Sequence, residues 1–315
     1  MIGNKPSVSI GLPVYNGQKY LRQALDSILI QSYKDFELLV LDNASTDNTE
    51  KICREYAKKD RRLKYFRNKK NIGCPANYNL GFKLSSGKYF KWAAYDDVLG
   101  PEYLEKCVHI LDNDPSIVLC HSRVACIDEN GTLIGNYDDK TLPKISSFKA
   151  HERFSDLISF RNVCWSIHAV MRSSCLGKTP LHGSYILADR NLLAEIGLIG
   201  RMYEIPEHLF FRRDHPDAYT RKYYSKNVVV RDYRNQLVWW TGKKNKSLLV
   251  LPHWKNLLEL IISINRVPLS LSERMLCYKE IAMWLRKEKG YQRLKWDFEN
   301  ELQLWRIKLH YSRHR

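Results

Sequence analysis

Along the first 130 residues, apolar runs alternate with helical repeats. Residues 7–15 (SVSIGLPVY) form a β-branched apolar stretch ending near Pro13 and Asn16-Gly17, which predicts a buried strand and a turn. Tyr20, Leu21, Ala24, Leu25, Ile28 and Leu29 recur at helical spacing and predict an amphipathic helix up to Gln31. Further strands are predicted over 36–41, 63–66, 89–95 and 117–127. Helices are predicted over 49–59, 77–84 and 101–111, the last with proline at its first position. Strand alternating with helix predicts an α/β fold built on an open, mostly parallel sheet flanked by helices. Ligands of such sheets bind at the carboxyl ends of the strands. The polar clusters of this chain fall at those ends, after the first, second and fourth strands.

Beyond residue 127 the pattern loosens. Residues 128–147 read as a loop or hairpin, 148–160 and 190–196 as helices, 164–171 as a strand and 203–210 as a short extended piece. The composition then changes. Residues 221–315 carry 21 basic and 8 acidic residues, a net +13 of the chain's +17, and six of its eight tryptophans. Helical spacing recurs there over 257–264, 272–287 and 292–309. The 315 residues are therefore expected to divide into a body, 1–220, and a basic, tryptophan-rich, mainly helical region, 221–315. Hydrophobic residues at 44% exclude wholesale disorder. The eight cysteines include no C-x-x-C pair, and neither a leader nor an apolar run long enough to span a membrane is evident. Reduced thiols in a cytoplasmic protein are the expectation. Lysine and arginine beside tryptophan and leucine, as in 293–296 and 304–309, suit an anionic membrane surface at the inner face of a membrane. Such residues equally suit a packed helical subdomain.

The sharpest chemical signal is Asp96-Asp97 at the end of the fourth strand. Two carboxylates in open backbone make a hard oxygen site for Mg²⁺ or Mn²⁺, and a metal there neutralises charge on a diphosphate. Taken alone, the pair also serves to start a turn. The run Asp42-Asn43-Ala44-Ser45-Thr46-Asp47 offers hydrogen bonds to a nucleoside, or simply a turn and helix start. Asn71-Ile72-Gly73 is a turn signal.

In order, Leu12-Pro13-Val14-Tyr15-Asn16-Gly17, Asp42 to Asp47, Asn71-Ile72-Gly73 with Asn77 and Gly81, and Tyr95-Asp96-Asp97 with Pro101 resemble glycosyltransferase family 2. The resemblance covers residues 7–111 and resumes over 185–215. It implies a GT-A fold and a nucleotide-diphosphate sugar donor. It assigns Pro13, Tyr15, Asn16, Asp42, Asn43, Asp47, Asn71 and Gly73 to the nucleotide, and Asp96 and Asp97 to donor and metal. The family's usual Asp-x-Asp is reduced here to the adjacent pair, because Ala94 stands two positions before Asp96. It also implies a catalytic base. Asp189 matches, although Ala188 replaces the acidic residue that usually precedes it, and an aspartate there is also a good helix N-cap. Arg212 and Arg213 are implied as clamps on the diphosphate, with His215 on the metal or a phosphate.

The expected function is inverting, metal-dependent transfer of a sugar from a UDP- or dTDP-linked donor to a hydroxyl of a saccharide or lipid-linked saccharide, in polysaccharide or glycan synthesis. A Gln-x-x-Arg-Trp motif, as in processive family members, is absent, so single addition is expected. The alternative from another class is nucleic-acid binding through the basic region, or a nucleotidyltransferase using the acidic pair. No nucleic-acid module is recognisable, which makes nucleic acid the weaker expectation.

Overall fold

The computed structural model describes residues 5–136, 142–159, 164–218, 221, 233–241, 249–287 and 290–313. Residue 160 of the expected helix and the side chains of Trp239 and residues 307–309 lie outside the described part. The chain opens with β1 (Val8–Val14), α1 (Leu21–Leu29), β2 (Phe36–Asp42), α2 (Thr49–Lys59), β3 (Leu63–Arg67), α3 (Cys74–Leu84) and β4 (Tyr89–Trp92). Then come β5 (Val98–Leu99), α4 (Tyr103–Asn113), β6 (Ile117–Ile127), β7 (Leu133–Asn136) and α5 (Ala150–Ile158). β8 (Val170–Arg172), α6 (Ser173–Leu176), α7 (Ala188–Ile199) and β9 (Arg201–Arg213) complete the body. The basic region supplies α8 (Tyr233–Thr241), α9 (Pro252–Arg266), α10 (Leu271–Lys287) and α11 (Gly290–Arg313).

The described strands share one sheet of order β3-β2-β1-β4-β8-β6-β9-β5, with β7 paired to β6. Its first half is parallel, as expected: β2, β1 and β4 run together in register from Val8 opposite Phe36 and Tyr89. The second half is mixed, because β8 runs antiparallel between β4 and β6 while β9 runs parallel to β6. Helices cover both faces, so β1 and β2 are buried along their whole length and read as continuous apolar runs rather than alternating ones.

Three details differ from the sequence expectation. Pro101 lies outside α4, which starts at Tyr103 with Glu102 as its cap residue, so the proline belongs to the turn before the helix. Residues 164–171 are not one strand: Trp165–His168 forms a 3₁₀ turn and β8 is the short strand Val170–Arg172. Cys164 carries a left-handed backbone (φ +62°) that turns the chain into that 3₁₀ segment. The extended piece over 203–210 is a 13-residue strand, β9, held by β6 and β5 on its two sides.

The sheet separates two cores. Beneath one face lie Leu21, Leu25 and Ile28 of α1 with Leu104 and Leu111 of α4. Beneath the other lie Phe90 and Trp92 with Phe154, Leu157, Leu192 and Ile196. The second core also contains Leu260 and Ile264 of α9 and Cys277, Ile281 and Trp284 of α10. The basic region is thus packed into the body.

Candidate donor and base site

At the carboxyl ends of β1 and β2, polar side chains hold three loops together. The chain leaves β1 through exposed Tyr15 and through Asn16, whose backbone is left-handed (φ +53°). Asn16 Oδ1 accepts the Thr46 amide at 2.8 Å, and its own amide donates to Ser45 Oγ at 2.9 Å. Asp47 accepts the Gln18 amide at 3.0 Å and the Thr49 amide at 2.9 Å. Asn43 Oδ1 accepts the Ile72 amide at 2.9 Å, and its Nδ2 donates to Asn71 Oδ1 at 2.9 Å. Asp42, fully buried, accepts the Ser45 amide at 2.8 Å and the Tyr65 hydroxyl at 2.6 Å. Asp42 and Asn43 therefore shape the loops from inside, whereas Tyr15, Asn16 and Asn71 face outward. Pro13 is buried within β1 and sets the exit of the chain.

Gly73 ends the third loop with φ +86°, and a Cβ there would lie 2.1 Å from the carbonyl oxygen of Thr241. The last turn of α8 therefore rests directly on this loop, an approach that only glycine permits.

The acidic pair follows β4. Asp96 Oδ2 lies 3.0 Å from His215 Nε2, at the end of β9. Asp97 Oδ1 accepts the Arg213 amide at 2.9 Å. Burial first, and the neighbouring Asp96 charge second, push the Asp97 carboxyl up to about 8. Two carboxylates here repel a second negative charge and favour a cation. Among the described residues no three His, Cys, Asp or Glu side chains converge on one point. Asp96 with His215 beside it and the adjacent Asp97 supply two carboxylates, the hard oxygen donors that Mg²⁺ or Mn²⁺ takes together with phosphate oxygens.

For Arg213 the geometry departs from the expected diphosphate clamp. The side chain is 1% exposed, and its guanidinium donates to the carbonyls of Asp96 (2.8 Å), Asp128 (2.9 Å) and Glu129 (3.1 Å) and to Gln23 Oε1 (2.6 Å). With its donors committed to the protein it braces the backbone that presents Asp96. Arg212 lies over the Trp165 ring at 5.0 Å, beside Asp214 at 3.7 Å.

Asp189 sits in the first turn of α7, behind Leu187, whose left-handed φ of +73° starts the helix. Leu187 rather than Asp189 is the N-cap residue, which leaves the Asp189 carboxylate outside the capping position. It accepts the Arg190 amide at 2.9 Å. It lies near enough to Cys74, next to Gly73, that its charge adds to burial in pushing that thiol up to about 12. Left-handed non-glycine residues thus mark three corners of the site, at Asn16, Ala44 and Leu187, as strained backbone does at functional loops.

Three side chains around the acidic pair escape the sequence reading. Tyr20 packs its ring 4.8 Å from that of His215 and 4.9 Å from the Arg213 guanidinium. Gln23 receives Arg213 from α1. Lys91, fully buried in β4, donates to the His168 carbonyl and lies 4.6 Å from the Tyr103 ring; burial lowers its ammonium to about 7. A lysine inside an otherwise apolar strand (YFKWAA) was its one signal.

The family model for glycosyl transferase family 2 matches residues 9–176, more than half of the chain. The chain belongs to that family. An uncharacterized glycosyltransferase of Rickettsia prowazekii is 44% identical over 118 residues, which cover 36% of each chain. One of Haemophilus influenzae is 27% identical over 257 residues, covering 80% of this chain and 71% of its own. The chain thus spans about a third of the length of the Rickettsia relative. Among solved structures, S. aureus TarS in complex with UDP-GlcNAc superposes with a TM-score of 0.60 at 16% identity, over 94% of this chain and 81% of that one. The mannosyltransferase PcManGT from Pyrobaculum calidifontis, in complex with GDP-Man and Mn²⁺, gives 0.51 at 16% identity over 95% and 87%. These likenesses establish the GT-A fold for this family 2 chain. The family match ends before α7, so Asp189 lies outside it.

Proposed function

We propose that the chain transfers a sugar from a nucleotide-diphosphate donor to a hydroxyl of a saccharide or lipid-linked saccharide, with inversion, in cytoplasmic assembly of a polysaccharide or other glycan. The reading rests on placement: the loops after β1 and β2 and the Asp96–Asp97 pair lie beyond the carboxyl ends of the parallel strands β1, β2 and β4, and the charge of Asp189 reaches Cys74 beside the 71–73 loop. The exposed Tyr15 ring offers a stacking face for the base, and the exposed Asn16 and Asn71 offer hydrogen bonds. A UDP- or dTDP-linked sugar is the donor class; neighbours of the same fold hold UDP-GlcNAc and GDP-Man.

Asp96, Asp97 and His215 would hold Mg²⁺ or Mn²⁺, which when bound supplies positive charge to the diphosphate leaving group. Arg213 keeps the backbone of the pair in place, and Arg212, beside the Trp165 ring and Asp214, would turn to the phosphate oxygens. Asp189 takes the proton of the acceptor hydroxyl as that oxygen forms a bond to the anomeric carbon. The bond from that carbon to the diphosphate oxygen breaks in the same displacement, so an α-linked donor yields a β-linked product.

Thermal unfolding against a panel of nucleoside diphosphates and nucleotide-sugars, with and without Mn²⁺, tests the donor site. A ligand at a hundred times its Kd stabilises the folded state by about 2.7 kcal/mol. Stabilisation by one nucleotide, enhanced by metal, is expected. Asp189→Asn should retain that shift while turnover falls about a thousandfold. Near-normal turnover in this variant, or a panel without any shift, overturns the reading.

A further inference from the structure

The inner and outer sides of the C-terminal helices differ in kind. Inwardly, α9 grips α7. Asn191 Nδ2 donates to the Asn256 carbonyl at 3.0 Å, and buried Glu195 accepts from Ser263 Oγ and from Arg266, each at 2.6 Å. Lys255 lies 5.4 Å from the Tyr185 ring, just before α7. The start of α9 is therefore seated against the end of α7 that carries Asp189.

Outwardly, α9 exposes Trp254, Leu258 and Ile262 at i, i+4 and i+8, which is one face of a helix. Helix α11 exposes Phe298, Leu302 and Trp305 at i, i+4 and i+7, with Leu302 at 54% and Trp305 at 60%. The two stripes are continuous, because the Trp254 and Phe298 rings meet edge to face at 5.9 Å. Trp254 Nε1 also donates to the Leu294 carbonyl at 3.0 Å, which fixes the ring on the outside of the helix pair. Exposed Lys295 and Arg306 flank the α11 stripe. Soluble monomers rarely leave so many large apolar side chains contiguous and uncovered.

We propose that this α9–α11 face docks on an anionic lipid surface. Charge selects the partner: along α11 the exposed Arg293, Lys295 and Arg306 stand against one exposed acid, Glu299, among the described side chains. Apolar stripes edged by lysine and arginine lie in the headgroup layer and gain from negatively charged lipid. The protein lies on the bilayer, since no helix among the described residues is long and apolar enough to cross it. Because Lys255 and Asn256 hold the start of α9 against the Asp189 end of α7, docking through the opposite face places that end about one helix diameter, ~10 Å, from the lipid. The acceptor class follows, on the glycosyltransferase reading above: a hydroxyl carried on a lipid-linked saccharide and presented at the surface.

The test is sedimentation of the full chain with vesicles. One set mixes phosphatidylglycerol with phosphatidylcholine, the other is phosphatidylcholine alone, each at low and high salt. The comparison protein carries Leu258→Glu and Leu302→Glu, both at exposed positions outside the cleft. The expected result is pelleting with the anionic vesicles, reduced by salt, and a partition coefficient at least about tenfold lower for the double variant. Absence of pelleting with anionic vesicles, or equal pelleting of the two proteins, overturns the proposal. So does a dimer in solution that the double variant converts to monomer, which would assign the face to a second copy of the chain. The nucleotide-induced thermal shift, measured on both proteins, should be the same; its loss in both would instead sink the donor reading.

Discussion

The two walls of the cleft are held in place by opposite means. On the donor wall, neighbouring loops tie one another: Asn16 to Thr46, Asn43 to Asn71 and Ile72, Asp42 to Ser45 and Tyr65. On the base wall, Asp189 stands on a helix positioned from behind, by Asn256, Ser263 and Arg266 of α9. The donor loops take one outside support, the end of α8 against the 71–73 loop, whereas the helix of Asp189 leans on α9 residues more than 60 positions later. On the proposed reading, changes in α9 should reach turnover without touching nucleotide affinity.

Removal of residues 249–315 attacks the contrast most severely. Leu260, Ile264, Cys277, Ile281 and Trp284 belong to the second core, and a buried side chain of this size contributes about 1.5–3 kcal/mol. Their joint loss rivals the whole stability of an ordinary domain, about 5–15 kcal/mol. The truncated chain should lose its cooperative thermal transition. A sharp transition with an intact nucleotide shift would mean that the body stands alone.

A smaller perturbation separates the walls more cleanly. Glu195→Ala deletes the tie from α7 to Ser263 and Arg266, and should lower stability by about 2 kcal/mol in denaturant unfolding. The value sits below that for a fully buried pair because Arg266 is a third exposed and can turn to water. Turnover should fall while the nucleotide-induced shift is unchanged. A parallel loss of nucleotide affinity would show that the walls are coupled.

The subtlest perturbation is a change of pH on the donor wall. The folded-state value of Asp97 is raised, from 3.8 to about 8, so the folded chain holds a proton there that the unfolded chain releases earlier. Its contribution to stability is complete below pH 4 and is lost as pH rises toward 8. Without divalent cation, unfolding followed across that interval should show stability declining with pH, and Asp97→Asn should flatten the decline. Added Mn²⁺ should flatten it too, by favouring the ionised carboxylate.

The same contrast explains what could be read from the chain. The parallel half of the sheet and its loops were legible because their signals are local: apolar strands, helical spacing, and turn residues next to the strands they end. Asp96-Asp97 and the Asp42 to Asp47 run stood out for that reason. Lys91, Gln23 and Tyr20 did not, since each acts across elements: Gln23 meets Arg213 from 190 positions away. The bracing role of Arg213 was likewise hidden, because nothing local reveals that a guanidinium in a polar turn is buried. The mixed half of the sheet escaped too. A three-residue β8 is too short to carry a period, and its direction is set by its partners β4 and β6.

The contact between Gly73 and Thr241 gives the chain a rule of inheritance. A loop that admits a backbone carbonyl within 2.1 Å of where a side chain would begin has been shaped around one particular helix end. The 71–73 loop and α8 therefore form a matched set from distant parts of the chain. A chimaera that takes the donor half from a relative and the C-terminal helices from this chain inherits a lock and a key cut separately. Recombination at the boundary of the family match would part this loop from the helix it fits, and a successful graft has to carry both pieces together.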